Sequence, residues 1–142
     1  MAKAGLCSIG LHALHSNLMA ARFALTLAAL LACVAVALGA FGAHALKEKI
    51  APDLQTVWQT AVQYQMWHAL ALFGVGLAIL HFPDRIELRW AAWLFVAGIA
   101  LFSGSLYALA LTGNKSLGAI TPIGGIALVI GWIVAAWAIG KG

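Results

Sequence analysis

Apolar residues fill four stretches of this chain, and polar residues are largely confined to the gaps between them. A helix needs about 20 mainly apolar residues to cross the hydrocarbon of a bilayer. Runs of that length extend from Phe23 to Ala45, from Ala61 to Phe82, from Trp90 to Leu111 and from Ile120 to Gly140. The connections 46–60, 83–89 and 112–119 are too short to hold a soluble domain. The pattern predicts an all-α integral membrane protein, a four-helix bundle occupying residues 23–140. Residues 1–22 read as a leader outside that domain, either a mobile tail or the product of an upstream start codon. Met19, just ahead of Arg22 and the first span, is the alternative beginning. The leader lacks the cleavage signal of a signal peptide.

The first connection carries a second pattern. Pro52 and Asp53 mark a helix start. Leu54, Val57, Trp58, Ala61 and Val62 then recur at helical spacing, with Thr56, Thr60, Tyr64 and His68 opposite and Gln55, Gln59 and Gln63 beside them. This predicts a short amphipathic helix between spans one and two, running or kinking into the second span. Trp58 and Tyr64 are expected at headgroup level, which suits rings with polar tips.

Composition narrows the class further. Of 142 residues, 64% are hydrophobic and 8% charged, whereas soluble domains are about 25% charged. A soluble fold of this size buries only about 70% of the surface it could expose, so lipid is the expected solvent. The net charge of +4 comes from dispersed basic residues and does not imply nucleic acid. Lys3, Arg22, Arg85, Arg89 and Lys141 fall on one side of the membrane, and Lys47, Lys49 and Lys115 on the other. The excess places both termini in the cytoplasm. Cys7 and Cys33 have neither disulfide nor metal spacing.

Small residues mark where helices can approach in lipid, which offers no hydrophobic drive for association. The expected lines are Ala35, Gly39 and Ala43; Gly74 and Ala78; Ala100, Gly104 and Ala108; and Ala127, Gly131 and Ala135. They predict packing within the bundle, with contact between copies or within a larger membrane complex as the alternative. Thr121-Pro122-Ile123-Gly124-Gly125 opens the fourth span, with Pro tolerated in the first turn and the glycines permitting close approach. A faint internal repeat aligns 37–46 with 100–109, each placing small residues before one polar ring.

Candidate chemistry is concentrated at one end. With spans alternating in direction, His44, Gln63, Tyr64, Gln65, His68, Ser103, Ser105, Tyr107 and Thr121 share one side, while 73–80, 90–100 and 131–139 carry no ionisable group. A conduction path needs polar groups or water at every depth, so a through-channel is not expected. His44 and His68 are expected to share a layer with Tyr107. Imidazole can join helices by hydrogen bonds, bind a ligand such as a lipid headgroup or quinone, or ligate a metal or haem. No Cys or carboxylate stands beside them to complete a ligand set, so no cofactor is predicted. The acids Glu48, Asp53, Asp84 and Glu87 all lie in connections, and no catalytic set, phosphate loop or dinucleotide motif is present.

Leu38-Gly-Ala-Phe-Gly-Ala-His44-Ala-Leu46-Lys47, Tyr64-Gln-Met-Trp-His68-Ala-Leu70, Phe102-Ser-Gly-Ser-Leu-Tyr107, Thr121-Pro-Ile-Gly-Gly125 and Gly131-Trp132 occur in that order. On these motifs the chain resembles the domain-of-unknown-function 423 family, small membrane proteins of bacteria with relatives in eukaryotes. The resemblance covers about Phe23 to Trp137. It implies a membrane location and fold and supplies no reaction. The leading expectation is therefore a non-enzymatic accessory or scaffold protein of the membrane. The alternative is a one-sided lipid or small-molecule binding protein related to transport, with a metal or haem protein third.

Overall fold

The computed structural model describes residues 2–141, with side chains described from Leu14 onward. Four long helices account for most of it: α1 (Ala2–His44), α2 (Pro52–His81), α3 (Glu87–Thr112) and α4 (Thr121–Gly140). A 3₁₀ turn (Lys115–Ala119) leads into α4. Their ends follow local chemistry. Pro52 and Pro122 stand in first turns, where a missing N–H costs nothing. Gly113 ends α3 at φ 68°, returning its N–H to the Leu109 carbonyl.

Among the described residues, three helical stretches are long and apolar enough to cross a membrane: Leu14–His44, Glu87–Thr112 and Lys115–Gly140. Helix α2 is not among them, because Gln63, Tyr64, Gln65 and His68 interrupt its middle. The short amphipathic helix expected between spans one and two is not a separate element. Pro52–His81 is one helix of 30 residues, about 45 Å long. No Gly or Pro interrupts 53–73. The buried face continues in register through Trp58, Ala61, Gln65, His68, Leu72, Val75 and Ile79, so there is no reason to break.

Residues 14–22, assigned above to the leader, continue α1 without interruption. Ala21 is fully buried, and the Asn17 amide donates to the Pro83 carbonyl at 2.6 Å. The His12 and Cys7 side chains lie outside the described ones.

Helix α1 packs on α2, α2 on α3 and α3 on α4, with only light contact between α2 and α4. One apolar cluster joins Ala21, Ala24 and Ala28 of α1 to Leu72, Val75 and Ile79 of α2, Leu88, Ala91, Phe95 and Ile99 of α3, and Leu128, Ala135 and Ala138 of α4. A smaller one surrounds Trp58 with Leu46 and Ala110. The outer faces are as apolar as the interior: Leu30, Val36, Trp90, Trp93, Ile126, Ile133 and Trp137 are all exposed. Lipid, not water, suits that surface.

The small-residue lines hold in part. Ala35, Gly131 and Ala135 are buried, and a Cβ at Gly131 would stand 2.9 Å from the Phe95 ring. At Gly124 a Cβ would lie 2.8 Å from the Phe102 Cα, so backbone meets backbone. Gly125 and Gly39 make ordinary contacts with Phe102 and Val62. Ala43 and Ala100 are exposed, Ala108 is half-buried, and Gly74 and Gly104 face open space. Those lines fail because the packed face is one residue or more around the helix. The close approaches belong instead to Gly42 beside Trp58, Gly76 beside Leu25 and Gly98 beside Leu128.

Candidate functional site

The polar centre is built around Gln65. Its helical register carries it, with Trp58, Ala61 and Leu72, onto the buried face of α2, where it is 4% exposed. Its Nε2 donates to the Leu31 carbonyl of α1 at 2.8 Å. Its Oε1 accepts from the Tyr107 hydroxyl of α3 at 3.0 Å. One carboxamide therefore bridges three helices. A helical carbonyl has a second lone pair, so Leu31 accepts this bond without breaking its own ladder.

Trp58 makes a second tie two turns away. Its indole N–H donates to the Leu38 carbonyl at 2.9 Å, and its ring packs 4.7 Å from Tyr107 and 6.0 Å from Phe41. Gly42 leaves room for it. Trp58 is 2% exposed, enclosed between helices. Its apolar bulk is better accommodated between helices, and its N–H finds a carbonyl there. Gln55 repeats the device at the end of α1, donating to the Gly42 carbonyl at 2.7 Å. That carbonyl lies in the last turn of the helix, where no backbone N–H follows to bond it.

On the α3–α4 side, Ser105 donates to the Phe102 carbonyl at 3.0 Å. Its one proton is thereby committed, so the Thr121 hydroxyl, 2.8 Å away, donates to Ser105. The Ser103 hydroxyl is 1% exposed and has no partner among the described residues. Tyr64 is half-buried and stacks on Phe102 at 4.4 Å.

The two histidines do not share a layer. The bonds from Gln65 to Leu31 and from Trp58 to Leu38 fix the antiparallel register of α1 and α2, which puts His68 level with Ala28. His44 is about 24 Å further along α1. It is exposed in the last turn of its helix, and Gln63 is also exposed. His44 closes α1, whereas α2 runs back from Pro52 as one unbroken helix. That places His68 just past the midpoint of the helix and not near its start. His44, Gln65, His68 and Tyr107 lie between the α1–α2 turn and about the middle of α2, while the buried cluster toward Arg89 is apolar. His68 donates from Nδ1 to the Tyr64 carbonyl of its own helix at 2.8 Å, with ring centroids of Phe95 at 5.8 Å and Trp132 at 6.3 Å. Nε2 is left as an acceptor. Among the described residues no three of His, Cys, Asp and Glu gather in a metal-binding group.

A family model described as "Protein of unknown function (DUF423)" matches residues 38–125. The chain belongs to that family. It is 50% identical over 108 residues to a UPF0382 membrane protein of Staphylococcus epidermidis, covering 76% of this chain and 87% of the relative. It is 52% identical to UPF0382 membrane protein SAB0533 of Staphylococcus aureus, at the same coverage of each. It is 51% identical to UPF0382 membrane protein YwdK of Bacillus subtilis, covering 76% of this chain and 88% of that one. No solved structure matches. These relatives are named as membrane proteins, and this DUF423 chain, with its apolar helices, is a membrane protein too. The matched stretch contains Trp58, Gln65, Tyr107 and Thr121, so the DUF423 segment includes the side chains that join its helices.

Gln65 was visible in the sequence only as one of several amides. What distinguishes it from Gln63 is phase: Gln65 lies seven residues from Trp58, on the same helical face, and Gln63 does not.

Proposed function

We propose that the chain is a four-span protein of the inner membrane, with both termini in the cytoplasm, acting as a non-enzymatic accessory or scaffold protein. The observation that carries this reading is the engagement of Gln65 at both ends of its amide by neighbouring helices. Trp58 is likewise tied to a carbonyl of α1, and Ser105 to the Thr121 hydroxyl of α4. Side chains used in this way fix helix register and leave a tight framework for a partner to dock against. The binding pocket envisaged around His44, His68, Gln63 and Tyr107 draws no support from the geometry, since His44 and Gln63 are exposed and His44 lies far from His68 in depth.

The fourth span of this proposal is α2. It lies against α1 from Gln55 beside Gly42 to Gly76 beside Leu25, so it retraces the path of a helix apolar enough to span. Its polar residues Gln65 and His68 turn inward, while Trp67, Leu70, Phe73, Leu77 and Leu80 face outward. A helix sorted in this way is suited to lipid despite its mixed composition.

Two measurements test the reading. Cysteine labelling at Lys49 and at Lys141 in intact cells should report opposite sides of the membrane, with Lys141 cytoplasmic; labelling from one side contradicts four spans. Cross-linking in native membrane followed by mass spectrometry should return a stoichiometric membrane-protein partner. A bound small molecule without such a partner contradicts the scaffold role.

A further inference from the structure

At the end of the bundle opposite His44, two concavities meet at one side chain. The first is an apolar crevice of about 270 Å³ between α1, α2 and α3, lined by Phe23, Ala24, Leu72, Ala92 and Trp93 together with Arg89. The second is a shallower polar cleft of about 220 Å³ formed by Asn17, Pro83 and Asp84, again with Arg89. Arg89 stands in the first turn of α3, where the helix emerges, and Trp90 and Trp93 beside it are exposed in the manner of an interfacial aromatic belt.

Arg89 makes no ion pair with any described residue. Its Nη2 donates to Ser16 at 3.0 Å and to the Asn17 carboxamide oxygen, both uncharged. Glu87, the acid nearest in sequence on α3, pairs with Lys141 at 2.7 Å. Asp84 is exposed at the edge of the polar cleft and makes no ion pair with Arg89. Arg85, half-buried close by, donates to the Lys141 carbonyl. A guanidinium has five N–H donors in a fork that matches phosphate oxygens, and the uncharged partners here use only part of it.

We infer that this end of the bundle binds an anionic membrane phospholipid, with the phosphate at Arg89 in the polar cleft and one acyl segment in the apolar crevice. The shape requires an amphipathic occupant. A cavity of about 150 Å³ already accepts benzene, and drug-sized ligands need about 300 Å³ or more. The apolar crevice therefore holds a length of hydrocarbon chain but not a whole bulky ligand. Phe23 and Trp93, 5.5 Å apart and both exposed, flank its opening to lipid. Basic pockets between membrane helices attract anionic headgroups by the same electrostatics. This site is separate from the Gln65 centre and does not depend on the scaffold reading.

Native mass spectrometry of the full chain, with phosphatidylglycerol and phosphatidylcholine supplied in equal amounts, provides the test. Wild type should retain phosphatidylglycerol about fivefold more than phosphatidylcholine, the effect of one basic residue near an anionic headgroup. Arg89→Gln should bring that ratio to near one, Arg89→Lys should keep most of it, and Ala92→Leu should reduce retention of both lipids by filling the crevice. A wild-type ratio of one, an unchanged ratio in Arg89→Gln, or displacement of phosphatidylglycerol by inorganic phosphate alone would overturn the inference. A photo-reactive group at position 93, with Arg89 intact, covers the case in which a variant misfolds. An adduct with lipid supports the site, and an adduct with a second copy or another protein overturns it.

Discussion

Where α1 turns into α2, the helices are joined by side-chain hydrogen bonds: Gln55 to Gly42, Trp58 to Leu38, and Gln65 to both Leu31 and Tyr107. Toward Arg89 the buried cluster is made of Ala, Leu, Val, Ile and Phe alone, and charges appear only at the rim. The contrast shows two ways to hold helices together in a solvent that supplies no hydrophobic force. Hydrogen bonds in lipid contribute about 0.6 kcal/mol on average and about 1.7 at most. Close apolar packing contributes many small dispersion contacts and requires small residues at the crossing points. The first device fixes register, because a donor must meet one carbonyl. The second fixes distance.

Trp58→Ala should have the largest effect, since Trp58 serves both devices. Truncating a buried Trp costs about 3–5 kcal/mol in soluble cores. In lipid the transfer part is reduced, so a loss of about 3 kcal/mol is expected, read as reversible unfolding in mixed micelles. Trp58→Phe should recover most of it, because the ring contacts with Tyr107 and Phe41 survive.

A sharper comparison uses two glycines. Gly124→Ala forces a Cβ against the Phe102 backbone, which cannot move as a side chain can. Overpacking of this kind costs about 1–3 kcal/mol. Gly104→Ala places the same methyl where nothing lies within 4 Å, and its cost should not exceed about 0.5 kcal/mol. Equal costs in the same unfolding assay would mean that α3 and α4 do not cross at Gly124.

The smallest effect is expected at His44. As an exposed residue in the last turn of α1, it should change stability by no more than about 0.5 kcal/mol when replaced by Ala. A loss several times larger would restore the histidine pair that the geometry separates.

Much of this arrangement is legible in the chain, and the failures have physical causes. Helix positions follow from uninterrupted apolar runs and from Pro52, Pro83, Gly113 and Pro122. The inward turn of Gln65, Ser103 and Ser105 could be anticipated, since burying a polar group among helices is better than exposing it to hydrocarbon. Depth was harder. The relative depth of His44 and His68 depends on the register of α2 against α1, which only the contacts between the two helices supply. Face was harder still: Ala and Gly occupy inward and outward positions alike, so Gly104 and Gly124 look equivalent until the partner helix is present. Arg89 and its neighbours Ser16 and Asn17 are far apart in sequence, and only the antiparallel return of the chain brings them together.

The central claim is that the inward polar side chains hold helices to one another. A double-mutant cycle between Gln65→Leu and Tyr107→Phe, measured by unfolding in lipid micelles, tests it most directly. The expected coupling between the two positions is about 0.6–1.7 kcal/mol. Strictly additive losses would contradict it, since the Tyr107 hydroxyl and the Gln65 carboxamide would then act independently across the α2–α3 interface.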